Sequence, residues 1–128
     1  MDIPTFGDRD GFLSALEGDS FIPFEIERVY FIYGVPEGVI RGSHGHKTLE
    51  QVIIPVAGSF EVCLKDGVSE GIFQLDSPTK GLYVRPGLWR NLQTFSKDAV
   101  CLVLASEHFD EADYLHEYSD YLLWAGAN

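Results

Sequence analysis

Cations are scarce in this chain. Nine Lys and Arg stand against 20 Asp and Glu in 128 residues, a formal net charge of −11. Sequence-independent binding to nucleic acid or to an anionic membrane needs a broad basic face, so neither is a credible task. Cysteine is scarce too. Cys63 and Cys101 show no C-x-x-C spacing, which argues against a zinc knuckle or a thioredoxin-type motif. Each lies in an apolar run and is expected as a buried, reduced thiol. No apolar stretch approaches the ~20 residues of a membrane-spanning helix. The N-terminus lacks a basic segment followed by an apolar one, so the expectation is a soluble, cytoplasmic protein. There is no internal repeat, low-complexity tract or linker, and the length fits a single domain, 1–128.

What the chain does have is many short β-like runs between turn residues, the pattern of a sandwich or barrel. Residues 25–33 are rich in β-branched and aromatic side chains, and Gly34, Pro36 and Gly38 break the run. Residues 51–56 form a second run, ended by Gly58. In residues 59–65, Phe60, Val62 and Leu64 alternate onto one face. Asp66-Gly67 is a two-residue hairpin signal, with 71–75 as the return strand. Further runs cover 81–84, 88–95 and 99–105, the last apolar throughout as for a strand covered on both faces. Residues 12–16 fit a strand or a helical turn equally well. The tail from Glu107 to Asp120 carries six acidic residues, with Tyr114, Leu115, Tyr118, Tyr121 and Leu122 at helical spacing. It is expected as a short acidic helix on the outside.

The chemistry concentrates between Gly38 and Gly58. His44 and His46 are one residue apart, a spacing that puts both imidazoles on one face of a strand. The stretch reads G-x5-H-x-H-x4-Q-x6-G and resembles the first signature motif of the cupin superfamily. That resemblance implies an all-β, cupin-type jelly roll (a double-stranded β-helix) with a short C-terminal helical segment. In metal-binding cupins two His and a Glu are joined by a third His from a later strand. Here Gln51 stands at the Glu position and Arg90 at the third-His position. Guanidinium stays protonated and cannot ligate, so no metal is expected. The pair is then either two satisfied interior histidines or an acid/base pair working near neutral pH.

Basic residues gather around this motif. Arg41 and Lys47 flank the histidines, and Arg85 and Arg90 lie on the later run, as bidentate recognition of a phosphate requires. Tyr30, Tyr33 and Trp89 are candidate flat walls for a sugar or base.

The run Arg41-Gly-Ser-His-Gly-His-Lys47, followed by Leu49-Glu-Gln51, is similar to the signature of the dTDP-4-keto-6-deoxyglucose 3,4-ketoisomerases. The likeness extends to Ile22-Pro-Phe24, Arg28-Val-Tyr30, Gly81-Leu-Tyr-Val84, Trp89, residues 103–106 and 110–114, and so covers nearly the whole chain. It implies an isomerase that moves a ketone between C4 and C3 of a dTDP-linked 4-keto-6-deoxyhexose with no cofactor, through an enediol(ate). His44 and His46 would be the catalytic pair, with Tyr30 and Arg41 in the same site. Their places around the motif add Lys47, Gln51, Trp89 and Arg90 as candidate substrate-binding residues, with Gln51 orienting a histidine. It also implies a homodimer with exchanged N-terminal strands, in pathways to 3-amino-3,6-dideoxyhexoses of polysaccharides. The sequence departs from the family at Gly45, where alanine is expected between the histidines. A nucleotide-sugar 3,5-epimerase, a metal-dependent cupin enzyme and a non-catalytic sugar-binding cupin are the competing readings.

Overall fold

The computed structural model describes residues 1–18 and 20–127. The strands are β1 (Thr5–Asp8), β2 (Gly11–Ser14), β3 (Arg28–Tyr33), β4 (Arg41–His46), β5 (Gln51–Ala57) and β6 (Phe60–Lys65). They continue as β7 (Glu70–Leu75), β8 (Leu82–Val84), β9 (Trp89–Gln93), β10 (Val100–Ala105) and β11 (Tyr114–Leu115). A 3₁₀ turn (Glu111–Asp113) precedes β11, and helix α1 (Tyr118–Ala127) follows it. One sheet runs β3-β10-β5-β8 and the other β11-β4-β9-β6-β7, all antiparallel, while β1 and β2 form a hairpin apart. Each sheet interleaves strands distant in sequence, the winding of a cupin jelly roll.

Period-two alternation decides which residues fill the space between the sheets. Ile53, Val84, Cys101 and Val103 from one sheet meet Phe60, Val62, Leu75 and Leu92 from the other, with Leu64 packed alongside. The opposite faces of β5 and β10 are covered as well. Val52, Ile54 and Leu104 pack under Ile3, Ile22 and Phe24 of the N-terminal segment. This double cover explains why both strands are apolar at nearly every position. Both cysteines are free and buried.

Two glycines between residues 38 and 58 have physical reasons. Gly58 turns the chain from β5 into β6 with φ +64°, where a Cβ would sit 2.7 Å from the Ala99 Cα. At Gly45 a Cβ would sit 2.8 Å from Cδ1 of Tyr121, whose fully buried ring lies against β4. The Tyr121 hydroxyl reaches the carbonyls of Gly87 and Lys65, so the ring cannot easily retreat. Glycine rather than alanine between the histidines is thus matched to a tyrosine on α1.

Two local expectations need correction, and one open choice is decided. Asp66-Gly67 starts a four-residue connection, closed by the Lys65–Glu70 pair. The Asp66 carboxylate accepts the N–H groups of Val68 and Ser69, and this side-chain capture winds a longer turn than the dipeptide alone implies. The ambiguous segment near Phe12 is strand β2. In the acidic tail only Tyr118 onward is α-helical. Tyr114 and Leu115 instead pair with His46 and Gly45, because the open edge of β4 offers their backbone partners that helical periodicity does not foresee.

Gly45→Ala should therefore cost roughly 1–3 kcal/mol by overpacking, measured by urea denaturation. Combined with Tyr121→Leu, the alanine should cost clearly less than it does alone. Simple additivity of the two losses would show that the ring and the glycine are not coupled.

Candidate active site

Strand β4 carries the histidines, and its alternation points both inward. Their ring centroids are 4.9 Å apart with planes at 80°. Directly across the ladder, His44 faces Arg90 on β9, while Gly45 faces Trp89. Arg90 therefore shares the inward face with the imidazoles, and Trp89 is turned outward. The β4–β9 register shifts between Arg41 and His44, next to Gly42 at φ +63°. A Cβ on Gly42 would lie 3.3 Å from Arg90 Nη1, so the backbone there gives the guanidinium its room.

The other sheet closes the site. On β3, Arg28, Tyr30 and Ile32 point inward. The Tyr30 hydroxyl oxygen accepts from Gln51 Nε2 at 2.9 Å and from Arg90 Nη2 at 3.0 Å, tying the two sheets together through polar groups. Arg28 lies 5.2 Å over the Tyr30 ring and 5.9 Å from the Phe109 ring, within cation–π range. A cleft of about 280 Å³ is lined by Arg28, Tyr30, Arg41, His44, Arg90 and Tyr114, among others. His46 lies one layer deeper, 4.4 Å from the Tyr114 ring, with its Nδ1 3.4 Å from Asp113 Oδ2. A larger hollow of about 950 Å³, between residues 34–40 and 93–97, contains no histidine and brings only Glu37 and Lys97 as charged groups. The chemistry belongs to the smaller cleft.

Polar bookkeeping singles out the same place. Among the described residues, the buried side-chain N and O atoms without a hydrogen bond belong to Arg28, His44, His46, Gln51, Arg90 and Asp113. Folded proteins rarely leave such atoms unmet; here Arg28, His44 and Arg90 line the cleft, and His46, Gln51 and Asp113 lie behind it. Burial pushes the His44 pKa down from 6.5 to about 3, helped by the Arg90 guanidinium and by His46. Burial, Arg90 and Arg28 push His46 down to about 3 as well. Both rings are thus neutral at pH 7, able to accept a proton, in a cationic pocket of an acidic protein.

The structure brings His44, His46, Tyr30, Arg41, Gln51 and Arg90 together. Other expected members stand elsewhere. Trp89 packs under α1 against Tyr118 and Tyr121, because it alternates with Arg90 and so faces outward. Lys47 is exposed beyond the end of β4, and Arg85 donates to the Pro86 carbonyl on the surface. Tyr33 is 68% exposed. Gln51 serves Tyr30, not an imidazole. Three contributors escaped sequence reasoning: Arg28 as a site cation, Tyr114 and Asp113. Arg28 was findable two residues from Tyr30 on one strand. Asp113 was not, since its contact with His46 spans most of a jelly-roll turn.

No three His, Cys, Asp or Glu side chains converge to hold a metal among the described residues. The two positions that complete a cupin metal shell hold a neutral amide and a guanidinium, which do not suit one.

Two antiparallel sheets wrapped around an inward-facing histidine pair define a cupin. The family model described as "FdtA: WxcM-like, C-terminal" matches residues 1–125. The TDP-4-oxo-6-deoxy-alpha-D-glucose-3,4-oxoisomerase of Aneurinibacillus thermoaerophilus is 45% identical over 114 residues, 89% of this chain and 82% of that protein. The sugar 3,4-ketoisomerase QdtA of Thermoanaerobacterium thermosaccharolyticum, solved with TDP, superposes with a TM-score of 0.96 at 41% identity, covering 98% of this chain and 92% of its own. A histidine-to-asparagine variant of that enzyme, solved with TDP-4-keto-6-deoxyglucose, gives a TM-score of 0.96 at 40% identity over 99% and 92% of the two chains. The chain belongs to the sugar 3,4-ketoisomerase family and is an isomerase.

Depressed histidine pKa values have a consequence for stability. Between about pH 3 and 6.5 the unfolded chain binds more protons at these rings than the folded one, so stability falls as pH falls through that window. Denaturant titrations at pH 7.5 and 5 should show a smaller pH-dependent loss for His44→Asn and His46→Asn than for the native sequence. Equal losses would mean that the rings are not held neutral by the fold.

Proposed function

We propose that the chain converts TDP-4-keto-6-deoxyglucose into a TDP-linked 3-keto-6-deoxyhexose through an enediolate. The supporting observation is the neutral imidazole pair beside a buried guanidinium with unmet donors, in a chain of this family.

The 4-ketone acidifies the hydrogen on C3. His46 takes that proton, and the electron pair forms the C3=C4 bond with negative charge on O4. His44, on the cleft wall, transfers the O3 proton to O4. The proton held by His46 returns to C4, the C3–O3 bond becomes the ketone, and both rings end neutral. Arg90 Nε and Nη1, which have no partner among the described residues, receive the charge on the enediolate oxygens. Tyr30 supports them: with two donors already on its oxygen, its own O–H is left to donate into the cleft. Arg41, exposed at the rim, holds the diphosphate. The face from which the proton returns decides between gluco and galacto products. The 3-ketone is what a sugar aminotransferase consumes, which places the enzyme in cytoplasmic synthesis of 3-amino-3,6-dideoxyhexoses for polysaccharides.

The working unit is a homodimer with exchanged N-terminal strands. All residues of β1 and β2 are exposed, including Phe6, Phe12 and Leu13. Strand β3 lies at a sheet edge and turns Val29, Phe31 and Tyr33 to solvent. A lone hairpin is marginal in water and an apolar edge invites pairing, so a second copy exchanging hairpins satisfies both.

Incubation with TDP-4-keto-6-deoxyglucose in D₂O, followed by NMR, should give a 3-keto product with exchange limited to C3 and C4. Exchange at C5 would mark a 3,5-epimerase instead, and no product would mark a binding protein. His46→Asn should lower turnover ~10²–10⁴-fold with the fold intact. By light scattering the native chain should be dimeric and Phe31→Asp monomeric. A monomeric native chain would contradict the exchanged-strand reading.

A further inference from the structure

A neutral imidazole takes a proton from carbon only if its lone pair, and not its N–H, faces the substrate. Nothing on β4 sets that choice for His46. The C-terminal segment does. Asp110 caps the 3₁₀ turn by accepting the Ala112 N–H, and the turn places Asp113 behind the His46 ring. The turn is then fastened to the end of β4. The Asp113 carbonyl accepts the Lys47 N–H at 3.1 Å, and Asp113 Oδ1 accepts the Thr48 N–H at 2.7 Å. The Thr48 hydroxyl, shared with Glu107, lies 2.9 Å from the same oxygen.

Asp113 Oδ2 is left over. It is buried and lies 3.4 Å from His46 Nδ1; among the described residues neither atom makes a hydrogen bond, and the two side chains are 7% and 5% exposed. A carboxylate oxygen only accepts, so it can be met here only if Nδ1 carries the ring's hydrogen. We propose that Asp113 is a positioning residue that locks His46 in the Nδ1–H tautomer, leaving the Nε2 lone pair on the far side of the ring for the substrate proton. Among the described residues no carboxylate pairs with His44, and that neighbour, not hydrogen bonding, is what separates the rings, since His44 Nδ1 and both His46 nitrogens are all buried without a hydrogen bond. The two histidines are therefore not interchangeable: His46 is the ring prepared as a base. That last step rests on the proton-transfer reading above, whereas the tautomer itself does not.

Two readouts separate the claims. In the free native enzyme at pH 7.5, ¹⁵N NMR of the His46 ring, assigned by its loss in His46→Asn, should show a protonated Nδ1 and an unprotonated Nε2. In Asp113→Asn, one amide oxygen can still receive the Thr48 N–H while the NH₂ faces Nδ1, so the hydrogen should move to Nε2. Turnover should then fall ~10²–10⁴-fold with KM changed by less than about threefold, and Asp113→Glu should recover part of it. A native ring protonated at Nε2 overturns the inference, and that result needs no variant to fold. So does retention of the Nδ1–H form in Asp113→Asn. A tautomer switch with unchanged turnover upholds Asp113's hold on the ring and removes His46 from the proton chemistry.

Discussion

Arg90 is a cation set in the interior, 2% exposed, with two of its nitrogens meeting no partner among the described residues. Left alone, each unmet buried group costs on the order of 1–3 kcal/mol, and a charged one more. The fold surrounds this liability with support: Tyr30 takes one Nη, Gly42 makes room for the other, and both sheets pack apolar layers around it. The same cation denies a second positive charge to its neighbours. Together with burial it keeps His44 and His46 neutral, which turns an ordinary H-x-H strand into a pair of proton acceptors. Substitution of arginine for the metal-binding histidine of other cupins thus does two things at once. It leaves no ligand there and, in the mechanism proposed above, sets a fixed positive charge where an enediolate's negative charge would develop.

The outer layers serve that interior from a distance. The N-terminal segment covers β5 and β10, which lets Gln51 sit almost fully buried beside Tyr30. The C-terminal segment adds β11 to the edge of β4, lays Tyr121 against Gly45 and puts Asp113 behind His46. An acidic tail that resembles a solvated surface is in fact the back wall of the site.

Much of this was legible because strands alternate. Once His44 and His46 were placed on a strand, their common face followed, and the glycines at 38 and 58 made the winding recognisable. The core face of β6 also followed from period two, whereas β3 begins three residues later than its apolar run and β1 was not foreseen. The misses share one cause: contacts between residues far apart in sequence. Trp89 and Arg90 are neighbours in a motif, and only the ladder to β4 tells which of them faces in. Gln51 has a polar partner from another strand, Tyr30, which no local pattern names. The tail's helical periodicity was real from Tyr118 onward, but Tyr114 and Leu115 found backbone partners on β4. Asp113 meets His46 across 67 positions of sequence, and nothing in the spacing of either residue marks the other.

The account turns on two imidazoles being held without charge at neutral pH. The most direct measurement is an NMR titration of the His44 and His46 ring signals in the free enzyme between pH 8 and 5. The expected result is that neither ring titrates in that range. A midpoint near 6.5 for either site histidine would contradict it.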